Sequence, residues 1–130
     1  MTSIPKPFSI LVIDDEEIIR EVIGQLLQRE GYEVRSVTNG EEGLELAKRQ
    51  SFDLVLLDLM LPGMGGIETL SEFVENYPET VVIMLTAYAS IQTAVSATKK
   101  GAFDFVTKPF KNDELLLIIK NGLERQKLVQ

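Results

Sequence analysis

Five short apolar runs, each followed by a segment with helical spacing, constrain this chain more than any other feature. The runs are Phe8 to Ile13, Tyr32 to Val37, Phe52 to Leu57, Thr80 to Leu85 and Phe103 to Val106. The first, apart from Ser9, is continuously apolar rather than alternating, as a strand covered on both faces must be. The third is as apolar, and the second is weaker. Between the runs, apolar residues return every three or four positions. They are Ile18, Ile19, Val22, Ile23, Leu26 and Leu27, then Leu44 and Ala47, then Ile67, Leu70, Phe73 and Val74. A fourth helix is expected from Ser90 to about Lys100, and a fifth carries Leu115, Leu116, Ile118, Ile119 and Leu123.

The punctuation agrees with that reading. Gly31 and Gly101 suit helix ends, where a left-handed residue closes the last turn. Asn39 stands three residues before Glu42, the spacing of a reciprocal N-cap. Pro62, Gly63, Gly65 and Gly66 make a loop, Tyr77-Pro78 stops the third helix, and Asn112 is placed to cap the fifth. Five strand–helix units in succession give a parallel sheet with helices on both faces. The fold class is therefore α/β, a flavodoxin-like (βα)5 doubly wound sheet of order 2-1-3-4-5. The expected organisation is a single domain over 1–130, with a core at about 8–123. The polar stretch Glu124-Arg125-Gln126-Lys127 begins a linker helix over 124–130.

The chain carries no cysteine and no histidine. Disulfides, thiolate zinc sites, Ser-His-Asp catalysis and histidine acid–base chemistry are thereby excluded, and the chain cannot itself donate a phosphohistidine. A net charge of −7 argues against non-specific binding to nucleic acid or to acidic membranes. The opening MTSIPKPF has no apolar signal core and no run reaches membrane-spanning length, so the expected compartment is the cytoplasm.

The chemistry sits at the ends of the runs. Asp14 and Asp15 follow the first, Asp58 the third, Thr86 the fourth, and Lys108 the fifth. In an open parallel sheet those positions line one crevice, and the switch point lies between the first and third strands. Converging carboxylates raise one another's pKa or recruit a cation. Mg²⁺ is the natural choice, since it takes oxygen ligands and keeps several waters. Asp58 is then either a metal ligand only or a nucleophile that carries an acyl phosphate. Lys108 and the cation would neutralise an incoming phosphoryl group, and Thr86 would donate to one of its oxygens. Pro109 either terminates the fifth strand or, through a cis bond, aims Lys108 into the crevice.

The segments ILVIDDEE, LVLLDLMLPGMGG, VIMLTAYAS and GAFDFVTKPF, in this order and at strand ends, resemble the receiver domains of two-component response regulators. The resemblance covers Phe8 to Leu123. It implies that Asp58 is the phosphoacceptor and that Asp14, Asp15, Asp58 and the backbone carbonyl of Met60 hold Mg²⁺. It implies that Thr86 and Lys108 contact the phosphoryl oxygens, that Lys108-Pro109 is cis, and that Thr86 and Phe105 form the switch. Phe105 lacks the hydroxyl that many members carry, and Gly65 stands where aspartate is frequent. Met60 and Tyr88 occupy the positions that tune hydrolysis of the aspartyl phosphate, and slow hydrolysis is expected.

The match is strongest to receivers of NtrC-like transcription regulators. It implies a sensor histidine kinase as partner, and downstream ATPase and DNA-binding domains in a longer chain. This domain itself would bind neither nucleic acid nor membrane. Such a receiver is not a conventional enzyme, but it catalyses its own phosphorylation and slow dephosphorylation. Its output face would be helix four, strand five and helix five, with Ile91, Ala94, Val95, Ala97 and Lys99 on helix four serving a phosphorylation-dependent homodimer.

Three readings compete. A Mg²⁺-dependent aspartyl phosphohydrolase would place Asp-x-Asp on the first strand, whereas here Asp14 and Asp15 are adjacent. A flavin-binding relative would carry a Ser/Thr/Gly phosphate cradle in the first loop, whereas here the loop is acidic. A receiver-like module used only for interaction or dimerisation, without phosphorylation, would commonly lose one of the five groups kept here.

Overall fold

The computed structural model describes residues 6–87 and 91–129, with the side chains of Ile91, Ala94 and Val129 outside that description. Five strands and five helices alternate: β1 Ser9–Ile13, α1 Glu17–Arg29, β2 Glu33–Val37, α2 Gly40–Arg49, β3 Leu54–Asp58, α3 Gly66–Asn76, β4 Val81–Thr86, α4 Ile91–Lys99, β5 Asp104–Thr107 and α5 Asn112–Val129. All neighbouring strands are parallel and the order is β2-β1-β3-β4-β5. The expected doubly wound topology is the observed one.

Successive strand residues point to opposite faces, so each apolar run feeds two cores. On one side Ile10, Val12, Leu54, Leu56, Ile83 and Leu85 pack against Ile23 and Leu27 of α1 and Leu115, Ile119 and Leu123 of α5. On the other, Leu11, Ile13, Val55, Leu57, Val82 and Met84 meet Ala47 of α2, Leu70 and Phe73 of α3, and Ala97 of α4. This double burial is why β1, β3 and β4 had no room for alternation. The edge strand β2 is mostly exposed or half-buried, which explains its weaker signature.

Asn39, Gly31 and Gly101 act as the sequence predicts. Asn39 caps α2, its Oδ1 accepting from the Glu42 amide at 2.8 Å while its Nδ2 donates back to Glu42 Oε1 at 3.0 Å. Gly31 and Gly101 adopt φ of +89° and +110°, the left-handed conformation that stops α1 and α4. Asn112 is the first residue of α5 rather than a residue outside it. The stretch from Glu124 continues α5 to Val129. Its Gln126 is buried, and the Arg125 guanidinium stands 5.8 Å from the centre of the Phe103 ring. Ser90, where the fourth helix is expected to begin, lies outside the described residues.

Two surface assignments change. Ala97 is 2% exposed and belongs to the core under α4, so it is not on an outer face of that helix. Ile18 and Val22, by contrast, are 73% and 45% exposed although they share the apolar spacing of α1. A helix against a sheet buries only the stripe turned inward, and here Ile23 and Leu27 fill it.

Candidate functional site at the carboxyl ends of the strands

The sheet ladder itself carries the chain into the crevice. The Asp14 amide donates to the Val37 carbonyl at 3.2 Å, the Leu59 amide to Leu85 at 2.8 Å, and the Lys108 amide to Thr86 at 2.8 Å. Asp58 and Thr86 are the last residues of β3 and β4, so those strands extend one residue beyond their apolar runs. Asp14, Asp58, Thr86 and Lys108 are all buried.

Carboxylate oxygens of Asp14, Asp15, Glu16 and Asp58 lie within 4.8 Å of one another. Glu16 was not among the residues singled out from sequence, although it directly follows the acidic pair in ILVIDDEE. The Lys108 ammonium sits among these acids. It lies 2.6 Å from Asp14 Oδ2, 3.2 Å from Glu16 Oε1 and 3.5 Å from Asp58 Oδ2. The Asp14 contact is the shortest of the three, and among the described residues this fully buried oxygen has Lys108 as its partner. The other Asp14 oxygen accepts from the Glu16 amide at 2.9 Å, and Arg20 Nη1 donates to the Asp14 carbonyl at 2.7 Å.

Asp58 Oδ1 accepts from the Met60 amide at 3.0 Å. Burial pushes the Asp58 carboxyl above its ordinary range. The Met60 amide and Lys108 pull it down, while the Asp14 charge pushes it up, and the sum remains a rise. For Lys108 burial works against the charge. The bond to Asp14 and the Asp14 charge, followed by Asp58 and Glu16, outweigh it and hold the ammonium above the usual lysine value.

The loop after Asp58 is drawn in tightly. A Cβ on Gly66 would stand 2.5 Å from the backbone oxygens of both Asp58 and Leu59, so only glycine lets α3 start there. Gly65 precedes it as an N-cap without a side-chain bond. The Lys108-Pro109 bond is cis, as expected. Phe105 is half-buried and packs against the α2–α3–α4 core, opposite Met84 on β4. Met60 is 65% exposed at the mouth of the site. Tyr88 lies outside the described residues.

The donor set fits a hard divalent cation. It is all oxygen, it is partly buried, and it includes a fully buried carboxylate oxygen held by the lysine alone among the described residues. Asp14, Asp15, Glu16 and Asp58 offer the carboxylates, and more ligands are available than Mg²⁺ takes from protein.

A doubly wound sheet whose switch point gathers carboxylates and one buried lysine is the architecture of a receiver domain. The chain belongs to that family: the profile of the response regulator receiver domain matches residues 10–120. It is 40% identical over 119 residues to the regulatory protein AtoC of Escherichia coli, covering 92% of this chain and 26% of AtoC. It is 45% identical over 116 residues to the transcriptional regulatory protein YkoG of Bacillus subtilis, covering 89% and 51%. Among solved structures, a CheY-like receiver domain protein from Methanospirillum hungatei superposes with a TM-score of 0.91 at 34% identity, covering 96% of this chain and 100% of that one. NtrX from Brucella abortus superposes at 0.89 with 38% identity, covering 95% and 28%. The chain thus spans about a quarter to a half of the curated relatives cited. No helix among the described residues is long and apolar enough to cross a membrane.

Proposed function

We propose that this domain is a phosphorylation-activated switch that accepts a phosphoryl group on Asp58 from a partner histidine kinase. The observation that carries the reading is one buried carboxylate at the end of β3, beside three further acids and the Lys108 ammonium. An Asp58 oxygen forms the new P–O bond as the P–N bond of the donor phosphoimidazole breaks and the imidazole leaves. Repulsion between the two anions limits such an attack, so neutralising charge is the main requirement. Bound at Asp14, Asp15, Asp58 and the Met60 carbonyl, Mg²⁺ would supply two positive charges. Lys108 would pair with a phosphoryl oxygen, and the Thr86 hydroxyl would donate to another.

The added group carries nearly two negative charges. Thr86 would move toward it, and Phe105 would turn into the space behind. Shifting a population from 1:99 to 99:1 needs about 5.5 kcal/mol, within reach of a few charge-assisted hydrogen bonds. The change would reach the face of α4, β5 and α5, where Val95 and Lys99 are exposed. A phosphorylation-dependent homodimer there, and transcription-regulating output domains in a longer chain, complete the proposal. The name of YkoG as a transcriptional regulatory protein supports it.

The test is intact mass after incubation with acetyl phosphate and Mg²⁺, beside Asp58→Asn. One phosphoryl adduct that requires Mg²⁺ and vanishes in the variant is expected. No adduct on the wild type, from acetyl phosphate or from a histidine kinase, would overturn the proposal. Light scattering with and without beryllofluoride tests the dimer, and a monomer in both states would refute it.

A further inference from the structure

Lys108 and a divalent cation compete for one oxygen. Asp14 Oδ2 is fully buried and the ammonium stands 2.6 Å from it. A cation bound to that oxygen would be pressed against the ammonium unless the lysine withdrew. Withdrawal is costly if it leaves a buried ammonium without a counter-charge. Asp58 does not provide one, since it is also a ligand in the proposed reading. Glu16 does: its Oε1 already takes a hydrogen bond from Lys108 Nζ at 3.2 Å. Its side chain is 58% exposed, so it can follow the lysine outward, whereas Asp14 is fixed by the Glu16 amide and by burial.

We infer that Glu16 is a positioning residue, the second anchor that receives Lys108 when a divalent cation takes Asp14. It acts on metal affinity through the lysine rather than as an obligatory ligand. The inference rests on the proposed Mg²⁺ site.

The test is a double-mutant cycle read as Mg²⁺ affinity by calorimetry, with no phosphorylation involved. Glu16→Gln should weaken Mg²⁺ binding about fivefold, the scale of a half-exposed ion pair. In a Lys108→Met background the same change should matter less than twofold, because no ammonium remains to be received. Lys108→Gln is a second background if Lys108→Met folds poorly. An equal loss in both backgrounds would make Glu16 a direct ligand and overturn the inference. So would an unchanged affinity in Glu16→Gln alone. A wild type that binds no Mg²⁺ would instead defeat the underlying metal site.

Discussion

Lys108 Nζ lies 2.6 Å from Asp14 Oδ2, closer than it lies to Glu16 or Asp58. The lysine therefore acts as a resident cation of the acid cluster. Two unit charges at about 4 Å interact by roughly 4 kcal/mol at an effective dielectric of 20. Much of that repulsion is relieved when the ammonium retreats, but not all.

Removing the ammonium should therefore favour the metal. Lys108→Met is expected to bind Mg²⁺ about tenfold more tightly, ~1.4 kcal/mol, while losing the conformational response to phosphorylation. Calorimetry gives the first quantity, and amide spectra with and without beryllofluoride give the second. Weaker Mg²⁺ binding in the variant would contradict the competition.

The raised pKa of Asp58 has a sign that can be checked. Burial favours its protonated form, so between its ordinary pKa of 3.8 and the raised value the folded state holds more protons than the unfolded chain. Stability then falls as pH rises through that window, and the charged carboxylate remains a liability at neutral pH. Lys108 does not alter this limb. Its own raised pKa gives stability that is complete below the ordinary lysine value and is lost only as pH rises through the folded one. Asp58→Asn should thus raise Tm by about 2–5 °C at pH 7 in metal-free buffer, and the two proteins should converge near pH 3. Saturating Mg²⁺ should reverse the order, since about 2.7 kcal/mol accrues at a hundredfold excess over Kd. A variant less stable than wild type at pH 7 without metal would contradict the argument.

The fold was legible because β1, β3 and β4 are buried on both faces, and such strands are written as unbroken apolar runs. The cluster of acids and lysine was legible because the ladder delivers the residues after the first, third and fifth runs to one crevice. Glu16 escaped notice because an acid just ahead of a helix has an ordinary explanation in the helix dipole. Its reach to Lys108 depends on how the β5–α5 connection is folded, 92 residues away. Ala97 was misassigned for another reason. Spacing defines a stripe on α4, but only the packing decides which way the stripe turns. The demand for glycine at position 66 is likewise invisible in sequence, because the atoms it avoids are backbone atoms.

That close approach predicts opposite outcomes at two adjacent glycines. Gly66→Ala places a Cβ 2.5 Å from two backbone oxygens that cannot rotate away. It should cost about 2–3 kcal/mol and disturb the Asp58 loop. Gly65 has φ −67°, and its nearest neighbour to an added Cβ is Glu68 Oε1 at 4.0 Å. Gly65→Ser should cap α3 and reduce the conformational freedom of the unfolded chain, gaining about 0.5–1 kcal/mol. Urea unfolding of both variants decides it, and a tolerated Gly66→Ala would show that the loop has room to shift.

Met60 stands at the mouth of the site with its amide on Asp58 Oδ1 and its side chain in solvent. An aspartyl phosphate formed there is lost when water reaches phosphorus in line with the acyl oxygen. The thioether is bulky and a poor hydrogen-bonding group, so it covers the approach without holding a water. An asparagine amide is smaller and can both donate to and accept from one. Met60→Asn leaves the amide that fixes Asp58 in place, so phosphorylation stoichiometry should be unchanged. Loss of the phosphoryl group should be roughly three- to tenfold faster, ~0.7–1.4 kcal/mol of barrier. Intact mass followed over time after removal of the donor measures it directly. An unchanged rate would mean that water arrives by a route Met60 does not cover.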